Sequence, residues 1–238
     1  MGALILVPAY EEEATIGRVV SGLRAAAPAD EVLVVDDGSR DHTGRLALQA
    51  GATVLRHLVN LGYARALQTG MKYALARGAS SCITFDADGQ HDASDVQRLK
   101  ERARAEDSPD LVIGSRFVKD SSYRPPLPRR AGMALFSWVT TLAGKGRIRD
   151  TTSGLRWMSA EVIQEIADLT AGDFHSEVLV YLLRRGRRVV EIPATVHERR
   201  HGQSMYRALV GAVYPLKTLV AMALLAWEAR RQGQVRRG

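Results

Sequence analysis

Short runs of aliphatic residues recur along the first half of the chain. Each is followed by a stretch whose apolar positions fall at helical spacing. The runs lie at 3–8 (Ala3-Leu4-Ile5-Leu6-Val7-Pro8), 31–36 (Glu31-Val32-Leu33-Val34-Val35-Asp36), 52–57, 81–86 and 110–115. The helical stretches lie near 11–26, 41–50, 62–78 and 93–106. Near-continuous Val/Ile/Leu runs alternating with helices indicate parallel strands covered on both faces. The pattern predicts an α/β fold with a doubly wound, mainly parallel sheet.

The second half is less regular. Residues 116–130 read as a loop, with Pro125, Pro126 and Pro128 beside Arg124, Arg129 and Arg130. A helix is expected over 130–143, short strands near 147–150 and 155–158, helices over 159–169 and 175–185, and a strand at 189–192. From Ala208 to Trp227 the chain is apolar except for Lys217 and Thr218, long enough to span a bilayer. Pro215 and Lys217 argue against a clean span, since a central Lys costs about 2.5–3.5 kcal/mol on insertion. Flanking Arg207, Arg230 and Arg231, with Trp227 at the edge, favour a helix lying at a membrane interface. A packing or dimer helix and a true span are the alternatives. The expected division is a domain over 1–205 and a C-terminal apolar helix with a basic tail over 206–238.

Length and charge sharpen this picture. The 238 residues suit one large domain with an appendage. The net charge of +7 comes from arginine, since lysine occurs only at 72, 100, 119, 145 and 217. The planar guanidinium favours phosphate and carboxylate partners, so an anionic partner is expected. The excess is spread, with no aromatic-basic platform, which argues against nucleic acid. The lone Cys82 permits no internal disulfide and suits a reducing cytosol. The opening residues are expected to form a strand rather than a secretory signal.

Polar motifs close four of the predicted strands: Pro8-Ala9-Tyr10-Glu11-Glu12, Asp36-Asp37-Gly38-Ser39, Asp86-Ala87-Asp88 and Gly114-Ser115-Arg116. Open α/β sheets bind ligands outside the carboxyl ends of their strands. Two carboxylates two residues apart are costly in a core. At a sheet's rim they suit a hard cation, Mg2+ or Mn2+, bridging to phosphates. An acidic Asp-Gly turn is the plainer alternative. The histidines show no zinc-ligand spacing.

With Asn60-Leu61-Gly62-Tyr63-Ala64-Arg65-Ala66, Asp150-Thr151-Thr152-Ser153-Gly154-Leu155-Arg156 and Arg199-Arg200-His201-Gly202-Gln203-Ser204, these motifs resemble glycosyltransferase family 2. More narrowly, they resemble its dolichyl- and polyprenyl-phosphate sugar transferases. The resemblance runs from Val7 to about Ser204 and implies the GT-A nucleotide-sugar fold and a metal-dependent, inverting hexosyltransferase. Asp86, Asp88 and Gln90 would hold Mg2+ or Mn2+, with Asp88 the foremost ligand. Pro8, Tyr10, Glu12, Asp36, Asp37, Ala87 and Arg199 would meet the donor, a GDP- or UDP-sugar. Arg116 would meet a phosphate, and Arg129 or Arg130 the phosphate of a polyprenyl acceptor. Asp92 is expected to be an N-cap of the following helix or a solvated turn carboxylate, and an Asx-turn at Asp37-Gly38 is the alternative to base contact there. Arg65 fits a phosphate contact or a solvated helix position. Met205 stands where the subgroup carries Lys.

Asp150 lies where relatives with hydroxyl acceptors place a general base. A polyprenyl phosphate needs no proton removed, so Asp150 would then orient the sugar or its loop. Glu177 fits a place facing the acceptor or a helix start. The resemblance implies transfer of mannose or glucose at the cytoplasmic face of the membrane by a peripherally associated enzyme. Transfer to a hydroxyl of a glycan or small molecule is the rival activity. A non-catalytic nucleotide- or membrane-binding module is the rival class.

Overall fold

The computed structural model describes residues 2–118, 141, 148–169, 174–197 and 220–227. The strands are β1 (Ala3–Ala9), β2 (Glu31–Asp36), β3 (Thr53–Arg56), β4 (Ser81–Thr84), β5 (Leu111–Ser115), β6 (Arg156–Ser159) and β7 (Val189–Pro193). The helices are α1 (Ile16–Ala26), α2 (Thr43–Gln49), α3 (Tyr63–Ala76), α4 (Asp95–Ala103), α5 (Ala160–Ile166), α6 (Ser176–Arg184) and α7 (220–227). The predicted alternation is therefore present, and the sheet runs β3-β2-β1-β4-β6-β5-β7. One strand departs from parallel pairing: β6 inserts antiparallel between β4 and β5. The expected strand at 147–150 is not one over the described 148–150. There the Glu191 carboxylate accepts from the backbone N–H groups of Arg149 (2.9 Å) and Asp150 (2.8 Å), which makes a side-chain-held turn. The 130–143 helix lies outside the described residues except for Thr141, which is helical.

Period-two alternation divides the core between the two faces of the sheet. Leu4, Leu6, Leu33 and Val35 pack with Leu67 and Met71 of α3, Ile163 of α5 and Leu179 of α6. Ile5, Val7, Val32 and Val34 pack with Val20 and Leu23 of α1 and Leu99 of α4 on the other face. Cys82 is buried in the core, and burial pushes its thiol up to about 12, so it is an inert core side chain.

Pro8 fixes where this sheet opens. The Leu6 carbonyl accepts from Phe85 N–H at 2.9 Å, so Leu6 faces β4, and Pro8, two residues on, faces the same way. Pairing of β1 with β4 stops at Leu6 and Thr84, whereas pairing with β2 continues to Ala9 and Asp36. Proline's missing N–H thus costs no ladder bond. The two strands part at this residue, at the point where chain order reverses direction across the sheet, and such a crevice is where α/β sheets take ligands.

On the α3 face, Gly70 lets the helix approach β1 closely. A methyl added there would stand 2.1 Å from Leu6 Cδ1 and 2.6 Å from Cδ2, and Leu6 is fully buried. Gly70→Ala is expected to destabilise the fold by about 1–3 kcal/mol through overpacking, read as a lower midpoint in urea denaturation. An unchanged midpoint contradicts this packing.

Candidate active site

The loops after β1 and β2 are tied to each other by short hydroxyl contacts. Glu11 N–H donates to Ser39 Oγ (3.0 Å) and Glu12 N–H to Thr43 Oγ1 (2.8 Å). Thr15 Oγ1 donates to Glu12 Oε2 at 2.7 Å, which fixes that carboxylate at the rim. The turn delays α1 to Ile16, later than the sequence pattern suggests. Tyr10 projects from it half-exposed.

Asp36 and Asp37 are both buried and do different work. Asp36 Oδ1 accepts from Ser39 N–H (2.9 Å), and Arg56 Nε stands 3.5 Å from Oδ2. The local turn, the alternative reading at Asp37-Gly38, is thus built on Asp36. Asp37 reaches across to the loop before α3: Oδ1 accepts from Leu61 N–H (2.9 Å) and Oδ2 from Gly62 N–H (2.7 Å). His57 Nδ1 meets Oδ1 at 2.6 Å, and its Nε2 meets Thr69 Oγ1 at 2.9 Å. Gly62 adopts φ 94°, a conformation that favours glycine, and leads into α3. His57 carried no signal in the sequence, because its partners lie 12 and 20 residues away. Arg65, itself exposed, donates to Oε1 of buried Gln68 at 2.6 Å.

Beyond β4, Asp86, Asp88 and Gln90 line the crevice, all partly exposed. Asp88 Oδ1 accepts from Gln90 N–H at 3.0 Å, which fixes the turn. Tyr63 OH donates to Asp86 Oδ1 at 3.3 Å. Burial, then the nearby Asp86 charge, raises the Tyr63 phenol well above its ordinary value, so it remains a donor. His91 comes next along this loop. Its ring is buried edge-on to Phe85, with Nε2 3.9 Å from Asp86 Oδ2.

Of the two readings of Asp92, the turn carboxylate is the one present, since the N-cap of α4 is Ser94. It accepts from Ser94 N–H at 2.9 Å in a turn just ahead, and Oδ2 lies 3.3 Å from His197 Nε2. These contacts, the Ser94 hydrogen bonds foremost, hold its carboxyl below the usual range. The chain after β7 is stitched to this metal-candidate loop. His197 N–H donates to the Gln90 carbonyl (2.7 Å), and Thr195 N–H to Oδ2 of buried Asp95 (2.6 Å). The residues next in sequence lead to Arg199, which with Arg129 and Arg130 lies outside the described residues.

Arg116 ends β5 and is held by Asp150. Its Nε and Nη2 donate to the two Asp150 oxygens, both at 2.8 Å, its N–H donates at 2.9 Å, and Nη2 also reaches Thr152 Oγ1 at 2.7 Å. Burial raises the Asp150 carboxyl, but the hydrogen bonds and charge of Arg116 outweigh it and hold the group below the ordinary range. A carboxylate with both oxygens engaged by a guanidinium is a poor general base.

Arg156, quoted only as part of a motif, proves to be an organiser. It is buried, and Nε, Nη1 and Nη2 donate to the carbonyls of Ser153 (2.9 Å), Phe174 (3.0 Å) and Thr151 (3.0 Å). It therefore joins the 151–153 turn to the start of α6. Glu177, in the first turn of α6, is buried and accepts from His175 N–H at 3.1 Å.

A mainly parallel α/β sheet with an Asp-x-Asp pair in its switch-point crevice and tethered acidic loops beside it has the build of a GT-A glycosyltransferase. Glucosyl-3-phosphoglycerate synthase from Mycobacterium tuberculosis, in complex with phosphoglyceric acid, shares the fold, with TM-score 0.71 at 19% identity over 94% of this chain and 80% of that one. The profile of glycosyl transferase family 2 matches residues 4–167. The undecaprenyl-phosphate mannosyltransferase of Micrococcus luteus is 32% identical over 97% of this chain and 98% of its own length. The polyprenol monophosphomannose synthase of Mycolicibacterium smegmatis is 33% identical over 84% of this chain and 79% of its own. The chain belongs to glycosyl transferase family 2 and is a glycosyltransferase.

The Arg116–Asp150 pair predicts a pH-dependent cost. Because the folded-state pKa of Asp150 is depressed, its stabilisation is complete above the unfolded value of about 3.9 and fades as pH falls below it. Asp150→Asn should cost about 3–5 kcal/mol at pH 7, as expected for breaking a buried pair. The difference from wild type should narrow as pH is lowered below about 4. Urea denaturation across that range checks this, and a cost independent of pH contradicts the ion-pair account.

Proposed function

We propose that the chain transfers a hexose, mannose foremost, from a nucleotide sugar to a polyprenyl phosphate, with inversion and with Mg2+ or Mn2+. The observation that carries this reading is the engagement of Asp150. Hydroxyl acceptors need a base, but the carboxylate standing where one would act is locked to Arg116. A phosphate acceptor is already anionic and needs none. The names of the relatives from Micrococcus luteus and Mycolicibacterium smegmatis support the same acceptor class.

The donor set supports a hard cation. Two partly exposed carboxylates and an amide, with no thiol beside them, suit Mg2+ or Mn2+. Among the described residues no group of three His, Cys, Asp or Glu forms a complete cage, so part of the shell would come from the substrate's pyrophosphate and water. When bound there, such an ion stabilises the charge growing on the departing diphosphate.

The chain's own groups do the rest. Asp88 and Asp86, with Gln90, would hold the ion. Tyr10 and Glu12 would receive the nucleoside, with Pro8 shaping the crevice and Ala87 lining it. Asp37 keeps the loop before α3 against the base pocket, and Asp36 keeps the turn beneath it. Arg116, oriented by Asp150, would present charge towards a phosphate. Arg199 would complete the donor site, and Arg129 and Arg130 the acceptor site. Positioning of these partners lowers the entropic barrier to displacement.

Peripheral membrane association at the cytoplasmic face is part of this proposal. In α7, Ala221, Met222 and Leu225 are buried, while Val220, Leu224 and Trp227 are exposed. A helix apolar on both sides suits contact with lipid. Among the described residues no helix is long and apolar enough to cross a membrane. We assign residues 1–205 to the catalytic domain and 206–238 to the interfacial element.

Two measurements test the proposal. Radiolabelled nucleotide sugars incubated with membrane lipid extract and Mg2+ or Mn2+ should place label in the organic phase, and no label with any donor would contradict it. Asp88→Ala should cut transfer at least about 1,000-fold, equivalent to some 4 kcal/mol of transition-state stabilisation. Retained activity would rule out the assigned ion site.

A further inference from the structure

Asp86 is crowded from the side of the turn before β6. A methyl added at Gly154 would stand 2.2 Å from both carboxylate oxygens of Asp86 and 2.4 Å from its carboxyl carbon. Gly154 lies outside the left-handed backbone region. The turn therefore does not need glycine for its conformation. It needs glycine for the space that the Asp86 carboxylate fills.

Both partners are held by hydrogen bonds. Thr84 Oγ1 donates to the Gly154 carbonyl at 2.6 Å, and Ser153 Oγ donates to the Gly114 carbonyl at 2.6 Å. Arg156 Nε holds the Ser153 carbonyl from below. On the other side, Tyr63 OH reaches Asp86 Oδ1, and the Tyr63 ring is stacked on His175 with centroids 5.5 Å apart. His91 stands near Oδ2.

We propose that Gly154 is a positioning residue for the metal site, setting the carboxylate of Asp86 at the crevice by having no side chain. The inference rests on the reading of Asp86 and Asp88 as ligands. It makes the turn before β6, which also carries Asp150 and Arg156, the floor on which the donor-side carboxylate is placed. Groups that orient metal ligands typically change metal affinity by 10–100-fold.

Two readouts test it. Mn2+ alone is titrated into the full chain and followed by the electron paramagnetic resonance signal of the free ion. Gly154→Ala should bind at least about 10-fold more weakly than wild type. Gly17→Ala, where nothing lies within 4 Å of the added methyl, should bind as wild type does. The second readout is a double-mutant cycle in Tm, which isolates the coupling of residues in contact. Gly154→Ala should lower Tm clearly in the wild-type background and far less in an Asp86→Ala background, where the clash is gone.

Unchanged Mn2+ affinity in Gly154→Ala, or an equal fall in Tm in both backgrounds, would overturn the proposal. Asp88→Asn separates the two possible failures. If it binds Mn2+ like wild type, the ligand reading fails and takes this inference with it. If it loses Mn2+ while Gly154→Ala keeps it, the inference alone fails.

Discussion

Carboxylates stand at the carboxyl ends of several strands, and the cost of burying a charge decides what each one does. A buried ionised group must be paired or hydrogen-bonded. Asp36 is met by Ser39 N–H and Arg56, Asp37 by two backbone N–H groups and His57, and Asp150 by the fork of Arg116. These compensated carboxylates build the loops. Asp86 is different: it receives one 3.3 Å hydrogen bond from Tyr63, has His91 at 3.9 Å, and remains about one-third exposed at the crevice. The same physics that turns Asp36, Asp37 and Asp150 into struts leaves the Asp86 carboxylate partly open at the crevice, which is why the ion site is proposed there.

The crevice follows from the sheet. Pro8 faces β4 at the residue where β1 and β4 stop pairing, so a residue that would disrupt a ladder marks the ladder's end. On one side of the opening lie the loops tied by Ser39, Thr43 and Asp37. On the other lies the turn at 150–156, joined to β5 through Arg116 and to the start of α6 through Arg156. These two groups of elements therefore meet around Asp86, with Gly154 against its carboxylate and Tyr63 beside it.

Much of this was legible in the sequence because it is local. The aliphatic runs and helical spacings located five strands and four helices of the first half to within a few residues, and the polar motifs lie together at the carboxyl ends of those strands. What stayed hidden depends on contacts distant along the chain. The antiparallel insertion of β6 has no local signature, since four residues carry no record of their neighbours. The Arg116–Asp150 pair spans 34 residues, and only its geometry separates a strut from a base. The turn weighed at Asp37-Gly38 is built on Asp36 instead, because either aspartate can start an Asx-turn and adjacent positions do not say which. The constraint on Gly154 is likewise distant in sequence: the Asp86 carboxylate fills the space of its missing methyl.

The locked state of Asp150 is the hinge between the fold and the chemistry, because it favours an acceptor that arrives already ionised. The most direct measurement offers the purified enzyme one nucleotide sugar and two matched lipids, a polyprenyl phosphate and the corresponding polyprenol. The account predicts transfer to the phosphate and none to the alcohol. Comparable transfer to the alcohol would contradict it, because a working base would then have to exist at the acceptor side.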